Sequence, residues 1–200
     1  MTALRVCNLS SALAGPFEFE VPAGCCAAIT GPSGSGKSLL LRMIADLDPN
    51  DGDVALGDHF RSRSNAPDWR RRVVYVAAEA GWWADRVLDH FEPARLDGAR
   101  ALAERLGLKA ELLDGLVSRL STGEKQRLAL IRALVLEPAA LLLDEPTSSL
   151  DQDSVLRTEA VLRDRLGAGV VLVLVTHDPR QADRLGDRRY EMRQGRLAAL

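Results

Sequence analysis

GPSGSGKS, Gly31 to Ser38, follows the short apolar run CCAAIT, Cys25 to Thr30, and leads into SLLLRMIADL, Ser38 to Leu47. The apolar run has the length of a buried strand and the later stretch has helical spacing, so the three pieces read as a strand, a loop and a helix. The loop fits G-x-x-x-x-G-K-[ST] and stands in the structural context that this pattern requires. Its glycines let the backbone wrap phosphate oxygens, Lys37 is placed to reach the β and γ oxygens, and the Ser38 hydroxyl is placed to ligate magnesium. Gly31, Pro32, Ser33, Gly34, Ser35, Gly36, Lys37, Ser38 and the adjoining Leu39 are therefore the candidate nucleotide-binding residues.

Further along, Ala139 to Leu143 and Val170 to Val175 are nearly continuous apolar runs. Such runs suit parallel strands covered by helices on both faces, which makes the fold class α/β. Towards the N-terminus a strand near Leu4 to Leu9 precedes Phe17, Phe19 and Val21, which alternate with Glu18 and Glu20. This pair reads as an antiparallel flap. Between about Asp85 and Val117 the sequence turns Ala, Leu, Arg and Glu rich without strand runs, which predicts an inserted helical lobe. At 200 residues the chain reads as one domain, with a core over residues 1–84 and 120–200 and the lobe at about 85–119. PNDGD, Pro49 to Asp53, reads as a turn cluster.

The 26 Lys plus Arg against 28 Asp plus Glu give a net charge of -2, which offers no general attraction to nucleic acid or anionic lipid. The Arg61, Arg63, Arg70, Arg71 and Arg72 cluster reads as a solvated face. Apolar runs fall far short of the roughly 20 residues of a spanning helix, and no signal-peptide layout opens the sequence, so a cytoplasmic location is expected. Cys7, Cys25 and Cys26 lack metal spacing and read as buried, reduced thiols.

Asp144 and Glu145 follow the Ala139 to Leu143 strand at its carboxyl end, the edge where open α/β sheets bind ligands. Asp144 is the candidate magnesium partner and Glu145 the candidate base for a water that attacks the γ-phosphate. His177, just past the second central strand in VTHD, can reach the same edge. With Lys37 these form the candidate catalytic set. Separately, Ser121 and Glu124 in LSTGEKQR, Leu120 to Arg127, form an S-x-x-E capping box, so a helix should open there with its free N–H groups able to hold an anion. A second anion site so far from the first raises the question of whose phosphate it touches.

Taken together, Gly31 to Ser38, Leu120 to Glu124, Leu141 to Glu145, Ser148 to Asp151 and His177 resemble the nucleotide-binding subunit of an ABC transporter over nearly the whole chain. The resemblance implies a P-loop NTPase of ABC type that uses ATP and magnesium. It implies two subunits stacked head to tail, with Leu120, Ser121, Thr122, Gly123 and Glu124 of one closing over the nucleotide of the other and Asp151 communicating across the dimer. It further implies partner permease subunits, attachment at the cytoplasmic face of the membrane, and ATP hydrolysis that drives solute transport. A clamp-type ATPase acting on nucleic acid or ribosomes is the rival reading; the absence of a sustained heptad insertion and of a second phosphate loop argues against it.

The sequence also departs from the family. Its usual glutamine falls on Ala78, with Glu79 next, so either Glu79 partly substitutes as a magnesium contact or that role is weakened. No aromatic precedes Phe17 to stack on adenine, and Phe17 itself alternates as a core residue. Thr122 and Glu124 stand where glycine and glutamine are common. Trp82 and Trp83 follow in the loop that, by resemblance, docks on the membrane subunit; paired tryptophans suit one interface anchor and one core residue.

Overall fold

The computed structural model describes residues 2–200. The strands β1 (Leu4–Ser10), β2 (Phe17–Val21) and β3 (Cys26–Thr30) precede helix α1 (Lys37–Ile44). Then follow β4 (Asp51–Leu56), β5 (His59–Phe60), α2 (Ala66–Arg72), β6 (Val73–Val76), α3 (Leu96–Arg105) and α4 (Thr122–Leu134). The chain closes with β7 (Ala140–Asp144), α5 (Gln152–Gly167), β8 (Val171–Val175), α6 (Pro179–Leu185), β9 (Arg188–Arg193) and β10 (Arg196–Ala199).

Two sheets form. An antiparallel sheet runs β2-β1-β4-β5, and a larger sheet runs β10-β9-β3-β8-β7-β6, parallel throughout except for the β9–β10 hairpin. The central strands explain why their sequences lack alternation. Leu141, Leu143, Leu172 and Leu174 pack on one face with α3 and α4, while Leu142, Val171, Val173 and Val175 pack on the other with α1 and the antiparallel sheet. Both faces are covered, so every position can be apolar.

Several local expectations need correction. PNDGD is not only a turn, because Asp51 to Asp53 open β4, where Cys7 and Ser10 pair with Asp53 and Asp51. Among the described residues between 85 and 119, α3 is the one α-helix, flanked by single 3-10 turns. Pro93, Gly107 and Gly115 interrupt the helical composition there. Cys7 is exposed and Cys25 half-buried, since β1 turns Val6 inward and Cys7 outward; Cys26 alone is buried, and burial together with the Asp187 charge pushes its thiol up to about 12. Arg61 is buried rather than solvated. Its guanidinium donates to the Met43 and Gly52 carbonyls and to the Asn50 side chain, so it fastens the end of α1 to the start of β4.

Candidate functional site

Parallel strands end together. Thr30 at the end of β3, Asp144 at the end of β7 and Thr176 after β8 therefore stand along one edge, and the loops beyond them surround a cleft of about 660 Å³. Ser33 to Leu39, Ala78, Asp144, Glu145, His177, Leu13, Gln194 and Gly195 line it.

The loop before α1 is shaped by where its backbone must go. At Gly31, φ is +140° and a Cβ would come within 2.2 Å of the Met192 carbonyl oxygen, so only glycine lets the loop leave β3 against β9. Gly34, at φ +74°, meets nothing within 4 Å and opens its backbone to the cleft. Lys37 is buried and donates 2.8 Å hydrogen bonds to the carbonyls of Gly31 and Pro32, which curls the loop around its own ammonium. Burial lowers the Lys37 pKa, while Glu145 and Asp144 oppose that shift.

On the facing side, Glu145 adopts φ 49°, a left-handed conformation that a non-glycine residue takes at a cost, and its N–H donates to the Val175 carbonyl at 3.0 Å. The turn aims its carboxylate back at the cleft. Oε2 accepts from the His177 N–H at 3.2 Å, and the His177 Nε2 stands 3.2 Å from Oε1. That second approach lacks hydrogen-bond alignment, so Oε1 remains a buried acceptor without a partner. Burial raises the Glu145 pKa; the His177 N–H and ring oppose it and Asp144 adds to it.

Residues that sequence reasoning missed support this set. The Tyr75 hydroxyl donates to Asp144 Oδ2 at 3.0 Å. Gln126, buried in α4, donates to the Glu145 carbonyl at 2.6 Å and to Ser148 Oγ at 3.2 Å, and accepts from the Ser149 N–H at 3.2 Å. Leu13, Gln194 and Gly195 form the rim away from the carboxylates. The Gln194-Gly195 turn, with φ of 47° and 71°, was legible as a hairpin signal between β9 and β10.

Other candidates lie elsewhere. Ala78 lines the cleft, whereas Glu79 is exposed and outside it. Leu120 to Glu124 do not reach the cleft of their own chain. Ser121 caps α4 as its sequence predicts, its Oγ accepting from the Glu124 N–H and its own N–H donating to Glu124 Oε2 at 2.8 Å. Asp151 caps α5 through Ser154 and also lies outside the cleft. Phe17 is buried in the core. Trp82 packs partly into the core, while Trp83 is 71% exposed beside His90, with the Arg132 guanidinium 4.7 Å from its ring centroid.

The donor set fits magnesium and a polyphosphate. Ser38 and Asp144 supply hard oxygens for an ion that keeps most of its other ligands as water or phosphate, and the unpartnered buried Ser35 Oγ and Glu145 Oε1 await polar groups. Among the described residues no group of three or more His, Cys, Asp or Glu forms a self-sufficient metal site, and no helix is long and apolar enough to cross a membrane.

The family model described as ABC transporter matches residues 15–148. The chain is 37% identical over 195 residues to a protein named Fe(3+) ions import ATP-binding protein from Rhodococcus jostii, covering 91% of this chain and 56% of that protein. It is 38% identical over 197 residues to a cobalt import ATP-binding protein from Rhodobacter capsulatus, covering 92% and 70%. The chain spans about half the length of the iron-import relatives it matches. Among solved structures, an ATP-binding subunit of an ABC transporter superposes with a TM-score of 0.87 at 22% identity, covering 100% of this chain and 90% of the other. A dimeric ATP-binding cassette in a post-hydrolysis state with ADP and Pi superposes at 0.83 and 24% identity, covering 100% and 99%; these two likenesses bear on the fold alone.

Proposed function

Because the chain belongs to the ABC transporter family, whose model it matches over residues 15–148, we propose that it is an ATP-hydrolysing subunit that powers solute transport through separate permease subunits. Relatives named as import ATP-binding proteins support transport over a nucleic-acid or ribosome clamp. In this reading residues 1–200 form a single ATP-binding domain, with a core of 1–84 and 120–200 and a helical lobe at about 85–119. It works at the cytoplasmic face of the membrane, and exposed Trp83 is a candidate anchor on the permease.

The loop Gly31 to Leu39 and Lys37 hold the triphosphate, with Lys37 exchanging its two carbonyl partners for phosphate oxygens. Ser38 and Asp144 hold the magnesium ion, which when bound neutralises charge on the phosphates. Glu145 takes the proton of the attacking water, and its upward-shifted pKa matches that task at neutral pH better than an ordinary carboxylate would. His177 orients Glu145 and reaches the γ-phosphate. Leu120 to Glu124 serve the nucleotide of a second subunit, a homodimer partner or a paralogue, and Asp151 carries communication across that dimer. With Ala78 in the cleft and Glu79 outside it, the role of the family glutamine is weakened rather than transferred.

One observation carries this reading: a buried, unpartnered carboxylate oxygen of Glu145 faces the phosphate loop across the cleft. Replacing Glu145→Gln should lower ATP hydrolysis by about 10²–10⁴-fold, the usual contribution of a general base, while nucleotide binding persists. A loss smaller than tenfold would remove Glu145 from that role.

A further inference from the structure

The cleft has two chemically different ends. Its phosphate end is crowded with buried polar groups: Ser35, Lys37 and Asp144 are all buried, and Glu145 and His177 complete the wall. Its other end is formed by Leu13, Gln194 and Gly195. The Gly195 N–H donates to the Ser35 carbonyl at 2.9 Å and the Gly15 N–H to the Gly195 carbonyl at 2.8 Å, so this rim is fastened to the phosphate loop. A nucleotide whose phosphates lie on Lys37 must place its base over that rim.

The rim offers little that could tell one base from another. Leu13 is 82% exposed and presents an aliphatic surface that any base can cover. Gln194 is exposed, so water replaces whatever a mismatched base edge fails to give it. Strong discrimination needs buried polar groups that are left unpaired by the wrong substrate, and among the described residues the rim has none. The nearest aromatic rings in sequence, Phe17 and Phe19, are turned into the core and do not line the cleft. Base stacking, the usual source of base-side affinity and stronger for purines, is therefore missing.

We infer that the cleft selects its substrate by the triphosphate and accepts nucleoside 5′-triphosphates with little regard to the base, Leu13 being the position that sets this permissiveness. The inference rests on the reading of the cleft as a nucleotide site. Equilibrium binding of magnesium ATP, GTP, CTP and UTP to the Glu145→Gln protein, by titration calorimetry, separates the two. Dissociation constants within tenfold of one another are expected. ATP binding more than tenfold tighter than CTP and UTP overturns the inference and leaves the nucleotide site standing; binding of none of the four overturns both.

Leu13→Tyr supplies the converse test at an exposed position where folding is not at stake. It should tighten ATP and GTP by about tenfold relative to CTP. An unchanged order of affinities would remove Leu13 as the determinant, and hydrolysis of all four nucleotides by the unaltered protein provides an independent reading of the same ratio.

Discussion

At Glu145 a single carboxylate holds two burdens, a left-handed backbone and a desolvated side chain. Burial is the leading cause of its raised pKa, so the native state binds this proton more tightly than the unfolded chain does. The stability associated with the neutral carboxyl is fully present below the unfolded value and is lost as pH rises through the higher folded value. At neutral pH the charged group thus weighs against the fold. Glu145→Gln is expected to raise the melting temperature at pH 7–8, and the gap between the two proteins should close as pH falls towards about 4. A gap that widened on acidification would mean that the His177 contacts outweigh desolvation. The residue itself was legible, because an acidic pair after an apolar strand is a local pattern. Its supporters were not: Tyr75 sits in VVYV, an ordinary apolar strand, and meets Asp144 69 positions away only because β6 and β7 pair in register.

Among the elements, α4 shows why local signals read well and distant ones do not. Its capping box spans three residues, so Ser121 and Glu124 announced the helix start without knowledge of the fold. Buried Gln126, one turn further, gave no signal, since its partners Glu145, Ser148 and Ser149 come from the turn after β7. The same contrast separates the central strands from β9 and β10. The former are apolar runs, whereas RRYEMR and RLAA carry charges on an edge hairpin and were passed over. Gln126 fastens α4 to the backbone that sets the Glu145 conformation. Gln126→Met keeps the length and apolar packing but removes all three hydrogen bonds. It should cost about 1–3 kcal/mol, read as a lower urea midpoint at unchanged slope. Hydrolysis should fall with it while nucleotide affinity holds, because the phosphate loop is untouched. Wild-type turnover at a lowered midpoint would make Gln126 a purely structural residue.

The molecule as a whole carries an anion-ready helix end that serves no site of its own. The start of α4 is exposed at Ser121 and Thr122, outside the cleft that holds Lys37 and Glu145. On the proposed reading a second copy or a paralogue completes each site, which makes dimerisation depend on the triphosphate between them. Thr122 allows fold and function to be pulled in opposite directions. An acidic side chain in the first turn favours the helix dipole, so Thr122→Glu should leave the melting temperature unchanged or slightly higher. The same charge would face the γ-phosphate of the neighbour's nucleotide across a closed dimer and repel it. With Glu145→Gln to prevent turnover, light scattering in magnesium ATP should show a dimer for the parent and a monomer once Thr122→Glu is added. The added repulsion is between partly exposed charges, so raising the salt concentration should restore part of the dimer. A Thr122→Glu protein that dimerised as well as its parent at low salt would place the helix end away from the nucleotide, and the head-to-tail arrangement would have to be given up.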